Sequence, residues 1–133
     1  MATMKNSLRQ TVVFNATPRK VYDALMEEKQ HAAFTGAPAK ISRKVGGRFS
    51  CHSGYVTGFN LELVPGKTIV QAWRGRDWPK GGYSIVTFSL APLSGGRTKL
   101  SFAHVGVPPD DVKRKTEGWK NRYWIPLKKY LEG

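Results

Sequence analysis

A single cysteine, Cys51, in 133 residues rules out an internal disulfide and a cysteine-built zinc cluster, and it suits a reducing compartment. Acidic residues are also scarce, with nine Asp and Glu against 22 Lys and Arg, for a formal charge of +13. A surplus of this size steers a protein toward an acidic protein, nucleic acid or an anionic membrane surface, without saying which. Long apolar runs are missing, so no segment reads as membrane-spanning. The opening Met1-Ala2-Thr3-Met4-Lys5-Asn6-Ser7 has no apolar core that could act as a signal peptide. The expectation is a soluble, cytoplasmic protein with no membrane partner. Repeats, linkers and low-complexity tracts are absent too, so residues 1–7 read as a tail and 8–133 as one domain.

Aromatic residues are plentiful. Four Trp, five Tyr and six Phe supply the burial that a disordered chain lacks. Leu8 to Phe14 is β-prone and runs into Thr17-Pro18, where Thr17 caps a helix and Pro18 occupies its first position. Val21, Tyr22 and Leu25 then recur on one helical face. A second short helix, from Glu28 to Phe34, stops at Gly36. From Lys40 to Val107, β-like runs are divided by turn residues, among them Pro65-Gly66, which suits a type II turn. Tyr55, Phe59, Leu61 and Leu63 alternate as if they shared one buried face, as do Val86, Phe88 and Leu90, and Leu100 and Phe102. The cover for that face is a last helix, capped by Asp110 or Asp111, with Val112, Thr116, Trp119, Tyr123, Leu127 and Tyr130 or Leu131 at helical spacing. Pro126 inside it predicts a kink. The class is α+β, an antiparallel meander covered by a long C-terminal helix.

Catalytic chemistry needs convergent titratable groups, and His31, His52, His104 and Cys51 form no recognisable set. Cys51 and His52 are neighbours in a strand and point to opposite faces, so they make a poor nucleophile and base. The glycine pairs lack phosphate-loop spacing and read as turns. These observations give no catalytic residue, no metal site and no cofactor. Nucleic acid finds no helix-turn-helix, zinc finger or ribonucleoprotein motif to read it. The basic residues of the last helix read as a solvated face. Arg74, Arg76 and Lys80 differ because they flank Trp78 in what should be an exposed loop, a combination that either binds a partner or simply packs Trp78.

The chain also contains Ala33-Phe34-Thr35 with Ala37-Pro38-Ala39, then Gly46-Gly47-x-Phe49, then Leu63-Val64-Pro65-x-Lys67-x-Ile69-Val70-x-x-Trp73-Arg74. Trp78-Pro79-x-Gly81, Gly118-Trp119 and Tyr123 follow in order. From Thr11 to Leu131 this series resembles the C-terminal domain of the activators of the heat shock protein 90 ATPase, within the START-like, helix-grip superfamily. The resemblance implies a curved antiparallel sheet gripping the last helix, with two short helices after the first strand. It also implies a co-chaperone, not an enzyme, whose partner is the acidic surface of heat shock protein 90, and the exposed cations already noted, Arg74, Arg76 and Lys80 with Trp78, are the expected contact. Better-known activators carry a further N-terminal domain that this sequence lacks, so weak binding and modest stimulation are expected. Other members of the superfamily hold a lipid or other small hydrophobic ligand between sheet and helix. Here Phe49, Phe88, Phe102, His104, Trp119 and Tyr123 either line such a cavity or form plain core.

Overall fold

The computed structural model describes residues 7–51, 54–76, 78 and 82–132. Strand β1 (Ser7–Phe14) is followed by α1 (Pro18–Met26) and α2 (Glu28–Thr35). The short strands β2 (Lys40–Ile41) and β3 (Arg48–Cys51) come next, then β4 (Val56–Val64), β5 (Thr68–Gly75), β6 (Ser84–Leu93) and β7 (Arg97–Val105). All pairs are antiparallel in one curved seven-stranded sheet of order β1-β7-β6-β5-β4-β3-β2. The sheet therefore begins and ends with β1 and β2, and the α1–α2 segment carries the chain from one edge to the other. The last element opens with a 3-10 turn (Pro109–Asp111) and continues as α3 (Val112–Gly118), a π-helical turn (Trp119–Trp124) and α4 (Ile125–Glu132).

Local signals set the first helices. The Thr17 side chain accepts the amide of Lys20 and Pro18 opens α1, while Gly36 closes α2 in the left-handed region at φ 76°. Gly66 at φ 75° and a Lys67 N–H bond to Val64 C=O (2.9 Å) form the tight turn between β4 and β5. Val21, Tyr22 and Leu25 are buried on α1.

The phase of β4 differs from the hydrophobic alternation. Its inward positions are Val56, Gly58 and Asn60, whereas Phe59 is half-buried on the outer side against Tyr83 and Leu61 is exposed. A register shift between Asn60 and Glu62 makes Leu61 the extra residue of a bulge and returns Leu63 to the core. Two inward positions are thus a glycine and an amide, which a pattern of apolar residues cannot reveal. Position 58 requires glycine because an added Cβ would collide with the Ala72 carbonyl and the Phe49 ring. Asn60 donates to the carbonyls of Ser42 (2.7 Å) and Lys44 (2.9 Å) and accepts from Gln71 (3.1 Å), so it clamps the turn before β3 to the sheet.

The last helix lies on the inner face. Leu127 and Trp119 are buried, and the helix is also bonded to β1: Trp124 Nε1 donates to Gln10 Oε1 (2.6 Å), and Gln10 Nε2 donates to the Thr116 carbonyl (3.0 Å). Pro126 leaves its mark as the π-helical turn directly before it. Proline has no N–H to continue the α-helical ladder and its ring crowds the preceding turn, so the bonds widen there.

Candidate functional site

Beneath the helix, Trp73, Phe88, Phe102, Trp119, Tyr123 and Trp124 pack as one aromatic cluster, with Trp119 4.3 Å from Phe102 and 4.9 Å from Trp73 between ring centroids. His104 is fully buried at its edge. Trp119 Nε1 donates to His104 Nδ1 (3.0 Å), so Nδ1 carries no proton and Nε2–H is left to donate to Ser84 Oγ at 2.6 Å. Burial, and secondarily Lys115, lower the His104 pKa to about 3, which keeps the ring neutral. This tautomer cannot take the Ser84 proton, so the pair is not a nucleophile and base. The bonds of His104 run to side chains on β6 and the last helix, where the sequence offered a cavity or a backbone partner.

A second buried group joins His31 of α2, Tyr123 and Cys51. His31 Nε2 lies 2.9 Å from Tyr123 Oη and 3.9 Å from Cys51 Sγ. Burial pushes the Cys51 thiol up to about 12 and raises Tyr123 well above its ordinary range, so both are neutral at physiological pH. A protonated buried thiol is a small apolar group and not a nucleophile. His52 lies outside the described residues. Among the described residues no group of three or more His, Cys, Asp or Glu could hold a metal ion, and no helix is long and apolar enough to cross a membrane.

Phe49, Phe88 and Tyr123 border an interior void of about 10 Å³, room for one water at most. Phe102 and His104 border neither this void nor the larger cleft next to it. That cleft measures about 410 Å³ and opens between the start of β4 and the last helix. Its floor is Val56 with the rings of Trp73, Trp119 and Tyr123, and its rim carries Tyr55, Arg114, Lys115 and Arg122. Gly118 completes the helix side. Of the six residues singled out as possible cavity lining, Trp119 and Tyr123 thus reach this cleft.

Trp78, beyond the end of β5, faces inward. Trp78 is only 8% exposed, and its Nε1 donates to Asp111 Oδ2 at 3.0 Å. The expected exposed aromatic is therefore corrected: the sequence around it is polar, but Asp111 supplies the acceptor that lets an indole bury there. Asp111 makes no side-chain bond to the start of its own helix, where the sequence predicted a cap; it also accepts from Arg114 Nε at 2.6 Å. Arg74 donates to the carbonyls of Gly75 (3.1 Å) and Trp78 (2.7 Å) and so ties Trp78 to the end of β5, while Arg76 is exposed. Lys80 lies outside the described residues.

Tyr55, Arg114, Lys115, Gly118 and Arg122 were not among the candidates, because cations on a helix read as a solvated face. The readable signal was their spacing, since Lys115, Gly118, Trp119 and Arg122 share one helical face.

The family model described as "Activator of Hsp90 ATPase homolog 1-like protein" matches residues 15–132. The chain is 32% identical over 126 residues, 95% of its length, to the human "Activator of 90 kDa heat shock protein ATPase homolog 1", and 34% identical over 107 residues, 80% of its length, to the Dictyostelium discoideum "Activator of 90 kDa heat shock protein ATPase homolog". It spans 36% and 28% of those two relatives. Among solved structures, an HSP90 activator from Plasmodium falciparum superimposes with a TM-score of 0.89 at 26% identity, covering 95% of this chain and 96% of that one. The sheet gripping a long C-terminal helix is the fold these proteins share, and the chain belongs to the Activator of Hsp90 ATPase homolog 1-like family.

Proposed function

We propose that the protein is a cytosolic co-chaperone that binds heat shock protein 90 and raises its ATPase rate without performing covalent chemistry itself. The observation that carries this reading is the 32% identity to the human activator across 95% of the chain. The net charge of +13 supports it, because a basic domain is attracted to an acidic chaperone surface. The contact runs through Arg76 and Lys80, while Arg74 and Trp78 serve the fold, Arg74 donating to the Trp78 carbonyl and Trp78 to Asp111. Stimulation follows if the protein binds the closed, hydrolysis-competent chaperone more tightly than the open one, since a ligand shifts an equilibrium only by its difference in affinity.

A binding isotherm with purified heat shock protein 90 at low and physiological salt tests the contact. Association that weakens with salt is expected. Arg76→Glu with Lys80→Glu should weaken it about tenfold while leaving the melting temperature unchanged. A melting temperature that falls in step with affinity would make these residues structural, and no binding at either salt removes the co-chaperone reading.

A further inference from the structure

The outer face of the sheet, turned away from the last helix, has features that neither the core nor the chaperone reading uses. Lys40, Ser50 and Thr57 are cross-strand partners on β2, β3 and β4, and Arg48 stands two positions from Ser50 on the same side. The neighbouring row of Ile41, Phe49, Gly58 and Trp73 is the inward one and is buried. Lys40, Arg48, Ser50, Thr57 and Tyr83 line an open hollow of about 280 Å³ on the outer face. Among the described residues no hydrogen bond or ion pair engages the side chains of Lys40, Arg48, Ser50 or Thr57. Carboxylates are scarce around them. Glu62 is the sole acidic residue on the seven strands and lies beyond the β4 bulge, while Glu28 reaches β2 from α2 only to accept the Ile41 amide at 2.9 Å.

An apolar strip adjoins the hollow. Phe59, Ala72, Ile85 and Val105 follow one another in register across β4, β5, β6 and β7, and the Tyr83 ring lies 5.8 Å from that of Phe59. Tyr83, Ile85 and Val105 remain 45%, 39% and 46% exposed. Isolated exposed hydrophobic residues are ordinary, but a continuous strip beside unopposed cations marks a contact surface.

We propose that this outer face is a docking surface for an acidic segment of a partner protein. A carboxylate side chain of the segment enters the hollow at Lys40 and Arg48, where the Ser50 and Thr57 hydroxyls can also donate, and a neighbouring apolar side chain rests on Tyr83, Phe59 and Ile85. Charge complementarity selects the acid, and a hollow of about 280 Å³ has room for a side chain. A nucleic acid would need cations to continue along its phosphates, and the strip offers apolar side chains instead. The surface lies on the other side of the sheet from the cleft beside the last helix, and it does not rest on the co-chaperone reading.

The test titrates the full chain into two fluorescently labelled polymers, poly-glutamate and the copolymer poly(Glu,Tyr), which adds aromatic rings to the same acid. The copolymer should bind about fivefold more tightly, and Lys40→Gln with Arg48→Gln should weaken it about tenfold. Lys20→Gln with Lys129→Gln removes the same charge from α1 and α4 and should cost about twofold at most. Ile85→Thr, with a melting temperature showing that it is folded, should bring the two polymers closer together. Equal affinity of the parent for both polymers, or equal losses in the two charge variants, would overturn the proposal. So would tighter binding of a single-stranded oligothymidylate that depends on Lys40 and Arg48, since it would assign the face to nucleic acid.

Discussion

At the scale of single residues, pH separates the buried His104 from the rest of the protein. Its folded pKa is depressed from 6.5 to about 3, so the unfolded chain takes up a proton that the folded chain refuses. The stabilisation is complete above pH 6.5 and is lost progressively as the pH falls toward 3. Between pH 7 and pH 5 the loss from this group is about 2 kcal/mol. Urea unfolding across that range should show the slope, and His104→Gln should flatten it; an equal slope in the variant would assign the acid sensitivity elsewhere. Asp111 makes a second residue-scale case. Asp111→Ala leaves the buried Trp78 indole N–H without its acceptor, which costs about 1–3 kcal/mol, whereas Asp111→Asn keeps an acceptor and should lose less. Thermal unfolding of the two variants distinguishes this from simple loss of surface charge, which would affect both equally.

Among the elements, β4 carries the sharpest expectation. Gly58→Ala drives a methyl into the Ala72 carbonyl and the Phe49 ring, and backbone cannot yield as a flexible side chain can. The variant should lose about 3 kcal/mol or more, or fail to accumulate folded, as read by denaturant unfolding. Unchanged stability would mean that β4 pairs in another register. Much of the architecture was legible from elements whose signal is local: Thr17-Pro18 at the start of α1, Gly36 at the end of α2, Pro65-Gly66 in the hairpin, and the recurrence of Trp119, Tyr123 and Leu127 down the last helix. What stayed hidden depends on partners distant in sequence. Asn60 faces inward because it is satisfied by Ser42, Lys44 and Gln71, and Trp78 buries because Asp111 waits 33 positions later. The cleft was illegible for the same reason: Tyr55 and Trp73 reach it from the sheet side, and only the folded chain brings them to Arg114 and Arg122.

For the whole molecule, the aromatic core and the cationic exterior divide the work. The core fixes the last helix against the sheet through Trp119, Tyr123 and Trp124, while 22 Lys and Arg supply a long-range field that no single substitution abolishes. Association with an acidic partner should therefore weaken smoothly with ionic strength, since screening acts over about 8 Å at physiological salt. The proposed action of this family member on heat shock protein 90 is open to a functional assay. The most direct measurement is the steady-state ATPase rate of the chaperone with this protein titrated in at low and physiological salt. A saturable rise in turnover is expected, one that needs more protein at the higher salt and is lost with Arg76→Glu and Lys80→Glu combined. An ATPase rate that stays flat while binding is demonstrated in the same solution would contradict it.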